Sequence, residues 1–273
     1  MASGPVSVAC RLGQSGLMIA VARVADLPTS PESLSPEERL RLNGIAAPRR
    51  RKEFVAGRFL LRSLLEWSTG APAASQSLLV SSNGKPRCDG GPAVSIAHSG
   101  NVVVCALCDV GRVGVDIERV ELARNTQRLA HGYFSAAEND WLASRSPDHF
   151  YMLWVLKEGW LKMIGLGVTG GLHRLECRIV PPSIDSEVAG DDECLLSLFA
   201  YGGALVGLAT DKASHRNLML LRWRPEHRGL DLTRDLVWLA TGASARHDSP
   251  RSPRMNHQQR NDSAMDGRWI RVR

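Results

Sequence analysis

The chain has 273 residues, 44% of them hydrophobic and 23% charged, with a formal net charge of +6. This composition fits a globular protein with one large domain or two of ordinary size. Apolar runs such as Leu17 to Ala22 and Val102 to Leu107 are far too short to span a bilayer. No basic segment leads into a long apolar stretch at the N-terminus, so a cytoplasmic location without a secretory signal is expected. The charge does not call for nucleic acid: Thr241 to Arg273 holds seven arginines against three aspartates, so +4 of the +6 sits there and +2 remains on the body. A modestly basic body suits a phosphate-rich ligand or an acidic protein partner.

In chain order, Val6 to Val24 has strand-like stretches that end in turn residues from Asp26 to Pro31. Ser35-Pro36-Glu37-Glu38 is a helix start, with Ser35 as cap, Pro36 at the first helical position and Glu38 closing a capping box. The basic stretch Arg49 to Lys52 leads into a helical segment in which Phe54, Leu61 and Leu65 share one side, and Arg58 and Arg62 another. Asn83-Gly84-Lys85-Pro86 is a turn. Strand-like Ala93 to Ala97, a break at His98-Ser99-Gly100, strand-like Val102 to Cys108 and a strand from Gly111 to Val120 follow. Ser135 to Met163 is helical with a break at Ser146-Pro147. Leu195 to Tyr201, Ala204 to Thr210 and Leu218 to Trp223 look like antiparallel strands joined by short turns.

Strands plus a long helix in each half make an α+β pattern, divided at 1–110 and 111–240. From 241 to 273 periodicity vanishes, and a tail without fixed structure is expected. Cys105 and Cys108 spell C-x-x-C, but three residues apart on a strand they face opposite ways, so buried unpaired thiols are expected in place of zinc or redox chemistry. Gly165 to Gly170 spells G-x-G-x-x-G; it follows a helix instead of a strand, so it reads as a helix stop and loop and not as a dinucleotide fingerprint.

The candidate chemistry lies in three places. In Gly114-Val115-Asp116-Ile117-Glu118, strand alternation sends Val115 and Ile117 one way and the two carboxylates the other. Side-by-side hard oxygen ligands suit Mg²⁺, although an amphipathic edge strand alternates in the same manner. On the helix Trp154 to Lys162, the residues Trp154, Glu158 and Lys162 form one stripe; Glu158 and Lys162 are either an ordinary surface pair or a third carboxylate and a cation facing a metal–pyrophosphate group. His98-Ser99 lies where a turn could hold a phosphate.

Asn83-Gly84-Lys85-Pro86, Ser95 to Ser99, Val113 to Glu118, Phe134 to Glu138 and Trp154 to Lys162 resemble, in order and spacing, the motifs of the surfactin-type 4′-phosphopantetheinyl transferases, over a span from about Ser35 through Gly167. The resemblance implies a pseudo-twofold pair of α+β halves with coenzyme A in the cleft between them. It implies magnesium on Asp116, Glu118 and Glu158, and Lys162 at the coenzyme A pyrophosphate. Arg58, Lys85 and His98 would stand around the 3′-phosphate and adenine, with Pro86 and Ser99 in the same motifs. Where some members carry a lysine this chain has Glu38, and Arg39 and Arg41 are the nearest substitutes; Arg41 is counted with the coenzyme-binding groups. Gly159 replaces a common alanine or serine, at a cost of up to ~1 kcal/mol in helix propensity. Glu158 is the first choice as general base and Glu138 the second. The partners implied are apo acyl, aryl or peptidyl carrier proteins, served by a monomer with no nucleic acid or membrane involved. The alternatives are a metal-dependent nucleotide phosphodiesterase and a non-catalytic carrier- or nucleic-acid-binding protein of the same fold.

Overall fold

A computed structural model describes residues 16–246, except 73–74, 76–77, 82–83, 122–123, 168–170, 189–191 and 212–217. The expectations that fall on residues 6–15, 83, 168–170 and 247–273 lie outside the described residues. The strands are β1 (Leu17–Arg23), β2 (Leu78–Val80), β3 (Pro86–Cys88), β4 (Ala93–Ser99), β5 (Val102–Cys108), β6 (Val113–Arg119), β7 (Leu175–Val180), β8 (Ser183–Val188), β9 (Leu195–Tyr201), β10 (Ala204–Thr210), β11 (Leu218–Arg224), β12 (Gly229–Leu232), β13 (Val237–Ala243) and β14 (Ala245–Arg246). The helices are α1 (Pro36–Asn43), α2 (Pro48–Thr69), α3 (Thr126–Tyr133), α4 (Ala136–Leu142) and α5 (Asp148–Ile164). The architecture is α+β. Among the described residues no helix is long and apolar enough to cross a membrane.

Two large sheets carry the fold. The first runs β12-β11-β1-β5-β4, and the second β14-β8-β13-β9-β10-β6 with β7 on β8. Burial of both faces explains why β5 and β10 read as continuous apolar runs. Leu60, Leu61 and Leu64 of α2 pack on Met18, Ala20, Val103 and Cys105 of the first sheet. Leu153, Leu156 and Trp160 of α5 pack on Leu196, Leu198 and Leu205 of the second. The remaining faces meet each other, Ile19, Val104 and Ala106 against Val115, Ile117, Val206 and Leu208. Cys105 and Cys108 thus belong to different cores, as their spacing requires, and no disulfide joins the described cysteines.

The edges β4 and β6 are joined by side chains. Val115 N–H donates to Ser95 Oγ at 3.1 Å and Arg119 N–H to Ser99 Oγ at 3.2 Å. Ser95 and Ser99 are four apart, hence on one face of β4. The expected break at His98-Ser99 is absent, because β4 continues through Ser99 before turning at Gly100.

Two expectations need correction. Leu218 to Trp223 does not extend the antiparallel set: β11 leaves β10 and pairs parallel with β1, Leu17 opposite Leu218. The division at residue 110 is therefore crossed by β11 and β12, which belong to the first sheet. The tail does not begin at 241 either, since Thr241 to Ala243 complete β13 against Leu195 to Ser197. Ser244, 1% exposed, exchanges backbone and hydroxyl bonds with Cys194. Small residues looked like a linker here because the packing demands them: a Cβ on Gly242 would lie 1.8 Å from the Ile184 carbonyl oxygen. Cutting the chain after Ala240 removes several such bonds at about 1 kcal/mol each. It is expected to lower Tm by roughly 6–12 °C, relative to a chain cut after Arg246; equal melting curves would return 241–246 to the tail.

Candidate active site

The site is made by a close crossing of α5 over β6 and β10. A Cβ on Gly114 would lie 2.0 Å from Gly159 O and 2.3 Å from Met163 N, and one on Gly207 would lie 2.3 Å from Val155 O. Gly159, on the helix side, has Gly207 O 3.0 Å from where its own Cβ would be. The absence of side chains at these positions lets the helix rest on the strand backbone, which sets Glu158 and Lys162 beside Asp116 and Glu118. Gly159 therefore trades helix propensity for contact with the sheet.

Lys162 Nζ is 2.6 Å from Asp116 Oδ1. Asp116 is 7% exposed, and its Oδ2 is buried without a hydrogen-bond partner among the described residues. Ser99 Oγ donates to Glu118 Oε2 at 2.8 Å. Burial raises the carboxyls of Asp116 and Glu118 above their ordinary range, and the Asp116 charge adds to the rise at Glu118. Glu158 is pushed up to about 7 by burial first, then by Asp116, with Glu118 adding and Lys162 opposing. Burial raises all three carboxyls, and neighbouring carboxylate charge adds at Glu118 and Glu158, which favours a proton or a cation among them.

As a metal site the fit is partial. Among the described residues no three His, Cys, Asp or Glu side chains converge closely enough to hold a metal unaided. Mg²⁺ usually takes only one or two carboxylates and completes its shell with phosphate and water. The unpartnered Asp116 Oδ2 and the hard oxygen donors around it suit that mode.

His98 lies alongside, lowered by burial and exposed to the charges of Lys162 and Asp116. Its Nδ1 is 3.2 Å from Glu53 Oε2 and 3.4 Å from Arg50 Nη1. Arg41 is exposed and lies over the Gly84-Lys85-Pro86 turn, its Nη2 3.3 Å from where a Gly84 Cβ would be.

Four expected site residues are engaged elsewhere. Ser99 Oγ donates to Glu118 and accepts from Arg119 N–H. Arg58 is buried, 3.5 Å from Glu38 Oε1 and over the Phe54 ring; Glu38 also accepts from Arg62 Nη2 at 2.6 Å while closing the capping box of α1. Lys85 Nζ donates to the backbone carbonyls of Val113, Lys162 and Met163. Glu138 is 1% exposed and saturated by Lys157 Nζ at 2.5 and 2.7 Å, Ser135 N–H and Cys177 N–H. A carboxylate whose two oxygens are both taken up in this way holds α4, α5 and β7 together and does not face the Asp116–Lys162 pair. Sequence reasoning missed Lys157, Arg62 and Ser95. Lys157 had a signal, because a lysine between Trp154 and Trp160 on the apolar side of α5 requires a buried carboxylate.

Residues 38–108 match the family model described as the 4′-phosphopantetheinyl transferase N-terminal domain, and residues 112–192 match that of the 4′-phosphopantetheinyl transferase superfamily. The chain belongs to this superfamily. Both glycines on the strands' side, Gly114 and Gly207, lie on the second sheet of the transferase fold, and Gly114 falls within the superfamily match. Among curated relatives, the chain is 27% identical over 189 residues to the 4′-phosphopantetheinyl transferase HetI of Nostoc sp., covering 62% of this chain and 79% of that protein. It is 32% identical over 131 residues to a 4′-phosphopantetheinyl transferase of Bacillus subtilis, covering 46% and 57%. It is 29% identical over 171 residues to the L-aminoadipate-semialdehyde dehydrogenase-phosphopantetheinyl transferase of Xenopus laevis, covering 56% of each. The aligned region thus spans little more than half of the last two transferases.

Proposed function

We propose that the chain transfers 4′-phosphopantetheine from coenzyme A to a serine hydroxyl of an apo acyl, aryl or peptidyl carrier protein, releasing adenosine 3′,5′-bisphosphate. The observation that carries this reading is the α5–β6 crossing, which gathers Glu158, Asp116, Glu118 and Lys162 in a chain of this family. A new bond forms from the serine oxygen to the β-phosphorus, and the bond from that phosphorus to the bridging oxygen breaks. Such chemistry is mainly positioning and charge stabilisation. Mg²⁺ held by Asp116 with one of Glu118 and Glu158, its shell completed by phosphate and water, would neutralise charge on the pyrophosphate.

Glu158 takes the serine proton, directly or through water; a carboxyl poised near neutrality is matched to that task. Lys162 steadies charge on the departing phosphate. His98 and Arg41 are the groups best placed to meet the 3′-phosphate, since Arg58, Lys85 and Ser99 are committed within the fold. Both sheets and both long helices come from one chain, which supports action as a monomer, and a coenzyme A-dependent modification of carriers fits the cytoplasm. Phosphodiester hydrolysis finds no support in the names of the relatives.

Incubation with coenzyme A, Mg²⁺ and several apo-carriers, read by intact mass, is expected to add the phosphopantetheine mass to at least one carrier. Excess chelator should abolish the gain. Undiminished transfer in chelator would remove the metal, and no transfer to any carrier class would favour a binding protein.

A further inference from the structure

Helix α5 ends at Gly165, whose left-handed backbone (φ 79°) closes the last turn: Gly165 N–H and Leu166 N–H both donate to Leu161 O. The carbonyls that follow have no partner within the helix, and they carry its negative end. Lys85 supplies one. Its Nζ donates to Lys162 O at 2.6 Å and Met163 O at 3.3 Å, and also to Val113 O at 3.1 Å, the first residue of β6.

The loop aims this side chain. Ser81 N–H and Ser81 Oγ both donate to Lys85 O, at 3.0 and 2.9 Å, and Gly84 N–H donates to Ser81 O at 2.8 Å. Pro86 then confines Lys85 to extended backbone. A loop of the first half is thereby tied at one atom to the end of α5 and the beginning of β6. The same helix turn carries Lys162, and the same strand carries Asp116, whose side chains meet at 2.6 Å.

We propose that Lys85 is a positioning residue, a clamp that fixes the end of α5 against the start of β6 and so sets the Lys162–Asp116 pair, in place of a contact with coenzyme A. Burial, with Arg112 adding, brings its ammonium down to about 8, so near neutral pH it keeps the protons that the three carbonyls accept. The kinetic consequence rests on the transferase reading; the structural one does not.

Lys85→Met keeps the length of the side chain and removes its donors. Peptide-level hydrogen exchange across 160–167 is expected to speed up by about tenfold, with α2 unchanged. Turnover is expected to fall by roughly 10- to 100-fold, while KM for coenzyme A stays within about twofold. A KM for coenzyme A raised about tenfold or more, with exchange unchanged, would make Lys85 a phosphate ligand and overturn the clamp. Faster exchange throughout both helices would overturn it as well, since the effect would then be one of general stability. Lys85→Arg keeps a cation and is expected to hold protection within about threefold of the parent chain; a loss equal to that of Lys85→Met would count against the clamp. If Lys85→Met does not fold, Lys85→Gln takes the same measurements. If the parent chain transfers nothing to any carrier, the exchange readings alone decide the clamp.

Discussion

Turnover of Glu158→Gln is expected to fall by at least about 10²-fold at saturating coenzyme A and Mg²⁺, because the substitution keeps the shape but removes the proton acceptor. The surroundings of Glu158 make a second reading of the same variant. In chelator, burial and the neighbouring Asp116 hold this carboxyl at about 7 against an ordinary 4.5, so folding takes up a proton between those values. Stability from this group is complete below the lower value and is lost as pH rises through the upper one. Asp116 and Glu118 are raised in the same direction. In the metal-free protein these acids should therefore lower stability from pH 5 to 7.5, against an opposing gain from His98, whose imidazole is lowered by burial, and Mg²⁺ should recover part of the acids' loss at pH 7.5. In Glu158→Gln the slope should be smaller. Lys162→Ala separates the roles: turnover is expected to drop about 10²–10³-fold, and loss of its ion pair leaves Asp116 buried without a cation. Parental turnover in either variant would remove that residue from the chemistry, and a pH 5 to 7.5 slope that is the same in the parent chain and in Glu158→Gln would contradict the burial of Glu158 beside the other two acids.

A large effect on folding is expected of Gly114→Ala. The added methyl would meet Gly159 O, Met163 N and Lys162 C at 2.0, 2.3 and 2.9 Å, all backbone atoms that cannot swing aside. Overpacking against movable side chains typically costs 1–3 kcal/mol, so about 3 kcal/mol or more is expected here, or a fall of roughly 6–12 °C in Tm. Even where the variant folds, α5 must lift from β6, and a misplacement of about 1 Å is enough to lower turnover on the order of 10²-fold. Gly132→Ala is the control. Nothing lies within 4 Å of a Cβ there, and on the exposed helix α3 the change should stabilise by about 0.5–1 kcal/mol. Equal behaviour of the two variants would mean that the crossing is looser than described.

Local periodicity was enough to read the centre of this site. Alternation along Val113 to Glu118 separates Val115 and Ile117 from Asp116 and Glu118, and helical spacing puts Glu158 and Lys162 together; the structure keeps both patterns and adds the crossing that joins them. What periodicity could not supply was the choice of partner for each charge. Arg58, Lys85, Ser99 and Glu138 each carry a group suited to phosphate or proton chemistry, and each is taken up by a neighbour distant in sequence: Glu38, the end of α5, Glu118 and Lys157. Gly159 shows the same limit from the opposite side. Along the helix it is only a weakness, and its use becomes visible when Gly207 is placed beneath it. The strands at 218–224 and 241–246 were misread because neither apolar alternation nor small residues say which sheet a strand will join.

The parallel pairing of β1 with β11 has a consequence for synthesis on the ribosome. Ile19 lies opposite Leu220, about 200 residues later in the chain, so the first sheet lacks an inner partner for β1 until almost all of the described chain has emerged. Until then β1 is an edge apolar from Leu17 to Ala22, bonded on one side to β5 alone, and such an edge invites pairing with other nascent chains. A fragment ending near residue 110 would carry that exposed edge permanently. The late strand thus makes the two halves one cooperative object during biogenesis, even though each has its own helix and its own core.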